Sequence, residues 1–126
     1  MAKYDDRGFV IELEPGEVFI FGSNLAGEHA GGAARLAYDQ FGAEWGVGEG
    51  LTGNTYAFPT LDENFHGLSY ERLLQATHTL HDCINDNPDK VFILTKVGCG
   101  IAGVKEETMR QLFAHFPDNL KKPEGW

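Results

Sequence analysis

The sequence predicts an α/β fold, a three-layer α/β/α arrangement around a mostly parallel, mixed sheet. Three observations carry that expectation. Short runs of consecutive apolar residues, Val18-Phe19-Ile20-Phe21 and Val91-Phe92-Ile93-Leu94, have the pattern of strands buried on both faces. Stretches with apolar residues at helical spacing separate the strand patterns. Both runs also pass through a glycine-rich turn into such a stretch, which is the order of a strand–turn–helix unit whose crossover returns to a parallel neighbour.

Taken along the chain, Phe9-Val10-Ile11-Glu12-Leu13 reads as a first strand at a sheet edge. Glu14-Pro15-Gly16-Glu17 turns it into the central run Val18–Phe21. Gly31 to Phe41 is predicted as a helix, with Ala33, Ala34, Ala37, Tyr38 and Phe41 on the periodic positions and Gly42 as its stop. Gly42 to Gly53, with five glycines and Trp45, reads as an irregular loop ordered over a ligand or against a neighbour. Asn54 to Phe58 is the next strand, closed by Pro59. Ser69 is a good N-cap, and Leu68 and Leu73 are spaced as a hydrophobic staple. The helix that follows carries Leu73, Leu74, Thr77, Leu80 and Ile84 on one face and ends before Pro88. Val91 to Val97 is a strand, Glu106 to Phe116 a helix ended by Pro117, and Asn119 to Trp126 a last short strand or a surface tail. The expected order is β-β-α-β-α-β-α in one domain spanning residues 1–126.

The totals narrow the partners. A chain of 126 residues, 42% hydrophobic and 23% charged, is ordinary for one globular domain. A formal charge of -9 argues against a nucleic-acid backbone or an anionic membrane surface, since both require a basic face. A small anionic ligand remains compatible, because neutral backbone donors bind it locally. Cys83 and Cys99 are too few for a disulfide framework and read as reduced thiols. With no apolar leader segment and no run of membrane-spanning length, the expectation is a cytoplasmic protein.

The chemistry-bearing residues follow from the two strand–turn–helix units. Such a unit brings backbone N–H groups against an anion, usually a phosphate. The first unit offers Gly22, Ser23, Asn24, Gly27, Gly31 and Gly32, and the second Gly98, Cys99, Gly100, Ile101, Ala102 and Gly103. Both leave the carboxyl end of a strand, where ligands of open α/β sheets sit, so they are expected to face one crevice. Gly98, Gly100 and Gly103 have the spacing of a dinucleotide fingerprint, but no following βα unit with an acidic residue is in the sequence. Gly22 and Gly27 have P-loop spacing, yet Glu28-His29 stands where Lys-Ser/Thr is required, which excludes triphosphate chemistry with Mg²⁺. Asn24 reads either as a hydrogen-bond partner for a ribose or as an Asx-type turn stabiliser. His29 reads either as a phosphate donor or general acid-base group, or as a solvated loop histidine. Asn24 and His29 are therefore the candidate catalytic residues. Cys99 is a nucleophile if loop amides lower its pKa, and otherwise a small residue fitting a crowded turn. His78 and His81, with Cys83 nearby, suggest a metal but lack a third clear ligand, so no metal site is expected. Lys96 points into the crevice only as a remote candidate.

Phe21-Gly22-Ser23-Asn24 followed by Gly27 to Ala34, with the later loop Gly98-Cys99-Gly100-Ile101-Ala102-Gly103, resembles the macro domain, the fold that binds ADP-ribose and its derivatives. In that family an asparagine-containing turn precedes a glycine-rich loop, and a Ser/Thr-Gly-Ile-aromatic-Gly loop wraps the diphosphate. Here Gly100-Ile101 and Gly103 are in register with it. The chain also resembles a group of small uncharacterised bacterial and phage proteins with the same GSN…GGAA and GCGIAG stretches. The family's glycine run is reduced here to Gly31-Gly32, Ala33 replaces its acidic follower, and the adenine-binding aspartate has only Asp5, Asp6 and Glu12 as positional counterparts.

The resemblance implies binding of ADP-ribose or a related nucleotide diphosphate. Amides of Gly98 to Gly103 would take the diphosphate, Asn24 the distal ribose, and Gly31-Gly32 would allow close backbone approach. If the protein is an enzyme, the implied reaction is hydrolytic removal of ADP-ribose, with water placed by Asn24 and assisted by His29, and no cofactor. The alternative is a non-catalytic phage or accessory protein that sequesters a nucleotide or binds a host protein. In the blandest case the glycines serve turns only.

Overall fold

The computed structural model describes residues 1–126. The chain begins with a two-stranded antiparallel hairpin, β1 (Lys3–Tyr4) and β2 (Val10–Glu12). Its turn is closed by Asp5, whose carboxylate accepts the N–H groups of Arg7 and Phe9 at 2.9 Å each. The expected first strand, Phe9–Leu13, is cut to Val10–Glu12 and pairs with β1 in this separate hairpin rather than at an edge of the main sheet. Phe9 and Ile11 face solvent, while Ala2 and Val10 pack on the sheet. The buried carboxylate of Glu17 fastens the segment by accepting the N–H groups of Ala2 (3.0 Å) and Glu14 (2.8 Å).

The main sheet has five strands. Its centre is β3 (Glu17–Asn24), buried along nearly all its length. The others are β4 (Gly50–Thr52), β5 (Thr55–Leu61), β6 (Val91–Leu94) and β7 (Leu120–Lys121). Their spatial order is β4-β5-β3-β6-β7, with β3 parallel to β5 and β6, β6 parallel to β7, and only β4 antiparallel to its neighbour. The sheet is therefore mostly parallel and mixed, as the two-faced apolar runs predict. Pro59 does not close β5. The strand runs through it to Leu61, because β4 has ended opposite Ala57 and no longer asks for a donor there. β4 itself was read as loop: it is three residues long, glycine-led and half exposed, so it has no strand periodicity of its own. β6 stops at Leu94 rather than Val97: the Thr95 N–H and hydroxyl still reach the Ile20 carbonyl (3.3 and 2.8 Å), but the Val97 N–H folds back onto the Thr95 carbonyl at 2.8 Å and turns the chain away.

Helices cover both faces. On one side Ala37 and Phe41, from helix α1 (Gly32–Gln40) and its C-cap, pack with the hairpin on Phe19, Phe21, Ala57 and Ile93. On the other, Leu73, Ala76, Leu80 and Ile84 of α2 (Tyr70–Asp86) meet Ile20, Tyr56, Phe58, Phe92 and Leu94. They are joined there by Met109 and Phe113 of α3 (Glu106–Leu112) and its C-cap. The alternation of β3 sends Val18 and Ile20 to one layer and Phe19 and Phe21 to the other. Burying each such side chain contributes about 1.5–3 kcal/mol. Ser69 caps α2 as predicted, its Oγ accepting the Arg72 N–H at 3.2 Å. α3 is shorter than Glu106–Phe116, since the N–H groups of Phe113 and Ala114 bond three residues back and tighten the last turn. No helix is long and apolar enough to cross a membrane.

Candidate functional site

Because β3, β5 and β6 run parallel, the loops after them leave the same rim. They touch there. A Cβ built on Gly22 would lie 3.7 Å from the Gly98 nitrogen and 3.6 Å from Thr60 Oγ1. One built on Gly67 would lie 3.4 Å from the Ala102 carbonyl oxygen. The β6–α3 loop thus begins beside the carboxyl-terminal part of β3, with the β5–α2 loop against it at Ala102.

The β3–α1 loop is organised from within. Asn24 is buried, and its amide clamps the turn: Nδ2 donates to the Glu28 carbonyl at 2.9 Å and Oδ1 accepts the Glu28 N–H at 3.0 Å. Of the two readings of this residue, the turn stabiliser is the one whose contacts are present. His29 differs from the expectation of a solvated loop residue. It is fully buried, with Phe21 edge-on at 5.1 Å between ring centroids and Trp45 at 6.0 Å. Its Nε2 lies 2.8 Å from the Glu44 carbonyl oxygen. A carbonyl only accepts, so Nε2 carries the proton and Nδ1 is left as a buried lone pair without a partner.

Glu44 belongs to a roof, residues 43–48, laid over this loop. Ser23 Oγ donates to the Gly48 carbonyl, and the Gly46 N–H donates to the Gly27 carbonyl at 2.9 Å. Backbone meets backbone so closely that a Cβ on Gly27 would fall 2.3 Å from the Gly46 carbonyl carbon. One on Gly48 would fall 2.4 Å from the Asn24 carbonyl oxygen. Gly27, expected to face a ligand, is buried under this roof. Gly31 and Gly32 remain open to solvent, with no heavy atom near their Cβ positions. They begin α1, whose N-cap Gly31 supplies no side-chain cap and whose first turn has no acidic residue. Its leading N–H groups keep their positive end uncompensated.

The β6–α3 loop is a small ring closed by the Val104 N–H on the Gly98 carbonyl (2.8 Å) and the Gly103 N–H on the Gly100 carbonyl (2.9 Å). The N–H groups of Gly100, Ile101 and Ala102 have no acceptor within the chain. Gly100 and the Ile101 side chain, 90% exposed, stand in solvent. Cys99 is half-buried, and its Sγ lies 3.5 Å from the Val97 carbonyl oxygen. Burial first, then nearby Glu106, push its thiol up, with Lys96 opposing. This is a protonated thiol in a crowded turn, not an activated nucleophile. Lys96 is paired with Glu106 at 3.3 Å, which also accepts from Trp126 Nε1 at 3.2 Å.

Two further features complete the rim. One is the 43–48 roof, part of the glycine-dense Gly42–Gly53 segment expected to order over a ligand or against a neighbour, and here laid on the neighbouring β3–α1 loop. The other is the tight loop Asp62–His66, held by the Asp62 carboxylate, which presents a half-exposed Phe65 at a left-handed φ of 64°. Two hollows in the surface lie elsewhere. One is at the opposite rim, near Glu17 and Val91, and the other is between α2 and the end of α3. No protein-family model, curated protein or solved structure matches the chain.

Proposed function

We propose that the chain binds ADP-ribose or a related nucleotide diphosphate at the carboxyl rim, as a macro domain-like protein. The observation supporting this reading is the run of three consecutive N–H groups, Gly100 to Ala102, without internal acceptors, on a loop whose Gly98 lies beside Gly22 in the carboxyl-terminal part of β3. Backbone donors arranged in this way receive phosphate oxygens whatever the net charge. In this reading Asn24 and His29 are positioning residues: one clamps the loop and the other pins its roof. The activity is then binding rather than turnover.

Calorimetry with ADP-ribose, AMP, NAD and pyrophosphate tests it, with amide spectra to locate the contact. Binding should move the Gly100, Ile101 and Ala102 signals first. Silence from all four ligands at millimolar concentration removes the reading. Release of ADP-ribose from a modified protein would instead return Asn24 and His29 to catalysis.

A second reading, a non-catalytic protein that docks another protein at this rim, is favoured by the exposed Ile101 and Phe65 on adjoining loops. It predicts that Ile101→Ser leaves nucleotide affinity alone.

A further inference from the structure

The larger hollow, about 720 Å³, lies between the amino-terminal hairpin and the β6–β7 side of the sheet. That volume is within the about 300–1,000 Å³ usual for small-molecule sites. Its floor follows from the strand register. Glu17 pairs with Val91, Phe19 with Ile93, and Ile93 with Lys121. Paired residues share a face, so Glu17, Val91, Ile93 and Lys121 all stand on the hairpin side of the sheet. Ala2 and Tyr4 supply the hairpin wall.

Charge is sorted along this floor. Glu17 stands at one end with Glu14, whose N–H it accepts, and with Asp89, two residues before Val91. Lys121 stands at the other. Glu17 is only 8% exposed, yet its carboxylate accepts nothing but the N–H groups of Ala2 and Glu14. The N-terminal ammonium, on Glu14, is the single cation paired with these three acids, and Asp89 and Lys121 are in no ion pair. From Glu17 to Lys121 the floor crosses two strand spacings and advances two residues, about 12 Å between Cα positions. The side chains along that diagonal are the apolar Val91 and Ile93. We propose that the hollow binds a small zwitterion, an ammonium and a carboxylate joined by a short apolar chain. The ammonium lies at the end formed by Glu14, Glu17 and Asp89, the carboxylate accepts from Lys121 Nζ, and the chain covers Val91 and Ile93. A plain carboxylate leaves the acids unanswered, and a plain amine leaves Lys121 so. A buried carboxylate gains most from a cation brought to it out of water.

Calorimetry of the full chain with ω-aminohexanoate, hexylamine and hexanoate tests this, with amide spectra to locate the contact. The zwitterion should bind tightest, by about tenfold over hexylamine, and hexanoate weakest. It should move the Tyr4, Val91, Ile93 and Lys121 signals and leave those of Gly100 to Ala102 in place. Asp89 and Lys121 are exposed, so their variants keep the fold. Lys121→Met should bring the zwitterion down to the affinity of hexylamine and leave hexylamine unchanged. Asp89→Asn should weaken both amines. Lys122→Met is the control, because that Nζ lies 3.5 Å from the Ala114 carbonyl oxygen, and it should change nothing. Silence from all three ligands at millimolar concentration, hexylamine binding as well as the zwitterion, or full zwitterion affinity in Lys121→Met overturns the assignment.

Discussion

Replacing Gly48 by alanine tests whether the roof over the β3–α1 loop depends on direct backbone contact. The added Cβ would sit 2.4 Å from the Asn24 carbonyl oxygen and 2.8 Å from that of Leu25. Ordinary contact begins about an ångström further out, and both obstacles are backbone, so no rotamer change relieves them. Overpacking of this kind costs about 1–3 kcal/mol. Lifting the roof instead would break the Ser23–Gly48, Gly46–Gly27 and His29–Glu44 hydrogen bonds, each worth about 0.5–1.5 kcal/mol net. The molecule takes the cheaper route, and the loss comes to about 1–3 kcal/mol. At this size a melting temperature falls by about 4 °C per kcal/mol, so thermal unfolding should drop by about 4–12 °C. Gly100→Ala is the control: its Cβ meets nothing within 4 Å, and stability should hold within about 0.5 kcal/mol. If Gly48→Ala melts with the parent, the glycine is not a contact requirement and the roof is not held as described.

Tyr56 buries a hydroxyl without a partner, and burial raises its pKa strongly. Tyr56→Phe should therefore leave denaturant stability unchanged or raise it by up to about 1 kcal/mol, and a clear loss would reveal an unseen hydrogen bond. The Asp62 carboxyl is held below its ordinary range, first by the His66 N–H and also by that of Asn64, with burial opposing. Its contribution is complete above the unfolded-state value of about 3.9 and is lost as pH falls through the lower folded-state one. The His66 and Asn64 amide signals should titrate with that lower midpoint; a midpoint at 3.9 or above contradicts it. Cys99, with its thiol pushed up, should alkylate more slowly than free cysteine at neutral pH. Fast reaction there would show a thiolate.

Much of the fold was legible because the relevant signals are local. Val18–Phe21 and Val91–Leu94 announce themselves as buried strands wherever they lie, and Ser69 caps its helix through a contact three residues away. The short pieces were less legible: β1 and β4 went unread, and β7 was one of two readings of the tail. They have two or three residues each, too few for a period, and exist because a longer strand or a packed turn offers them hydrogen bonds. Pro59 misled for the same reason: whether a strand tolerates proline depends on which neighbour has already ended.

At the candidate site the glycine loops were legible, and their convergence on one rim follows from parallel strands. The roles of individual residues were not. Asn24 and His29 carry the same side chains whether they face a sugar or a backbone. Their contacts were set by Glu28, four residues on, and by the roof that brings Glu44 to His29.

By itself, then, the order of residues determined the α/β layering, the two strand–turn–helix units and the rim at which they end. All three rest on apolar periodicity and turn chemistry within a few neighbours. Only the tertiary structure decided that Gly27 and Gly48 serve a backbone-to-backbone contact, that His29 is enclosed among aromatic rings, and that His115 lines the same surface hollow as His78 and His81. The physical reason is that a glycine or an imidazole acts through what stands against it, and those partners come from segments that meet only when the sheet has formed.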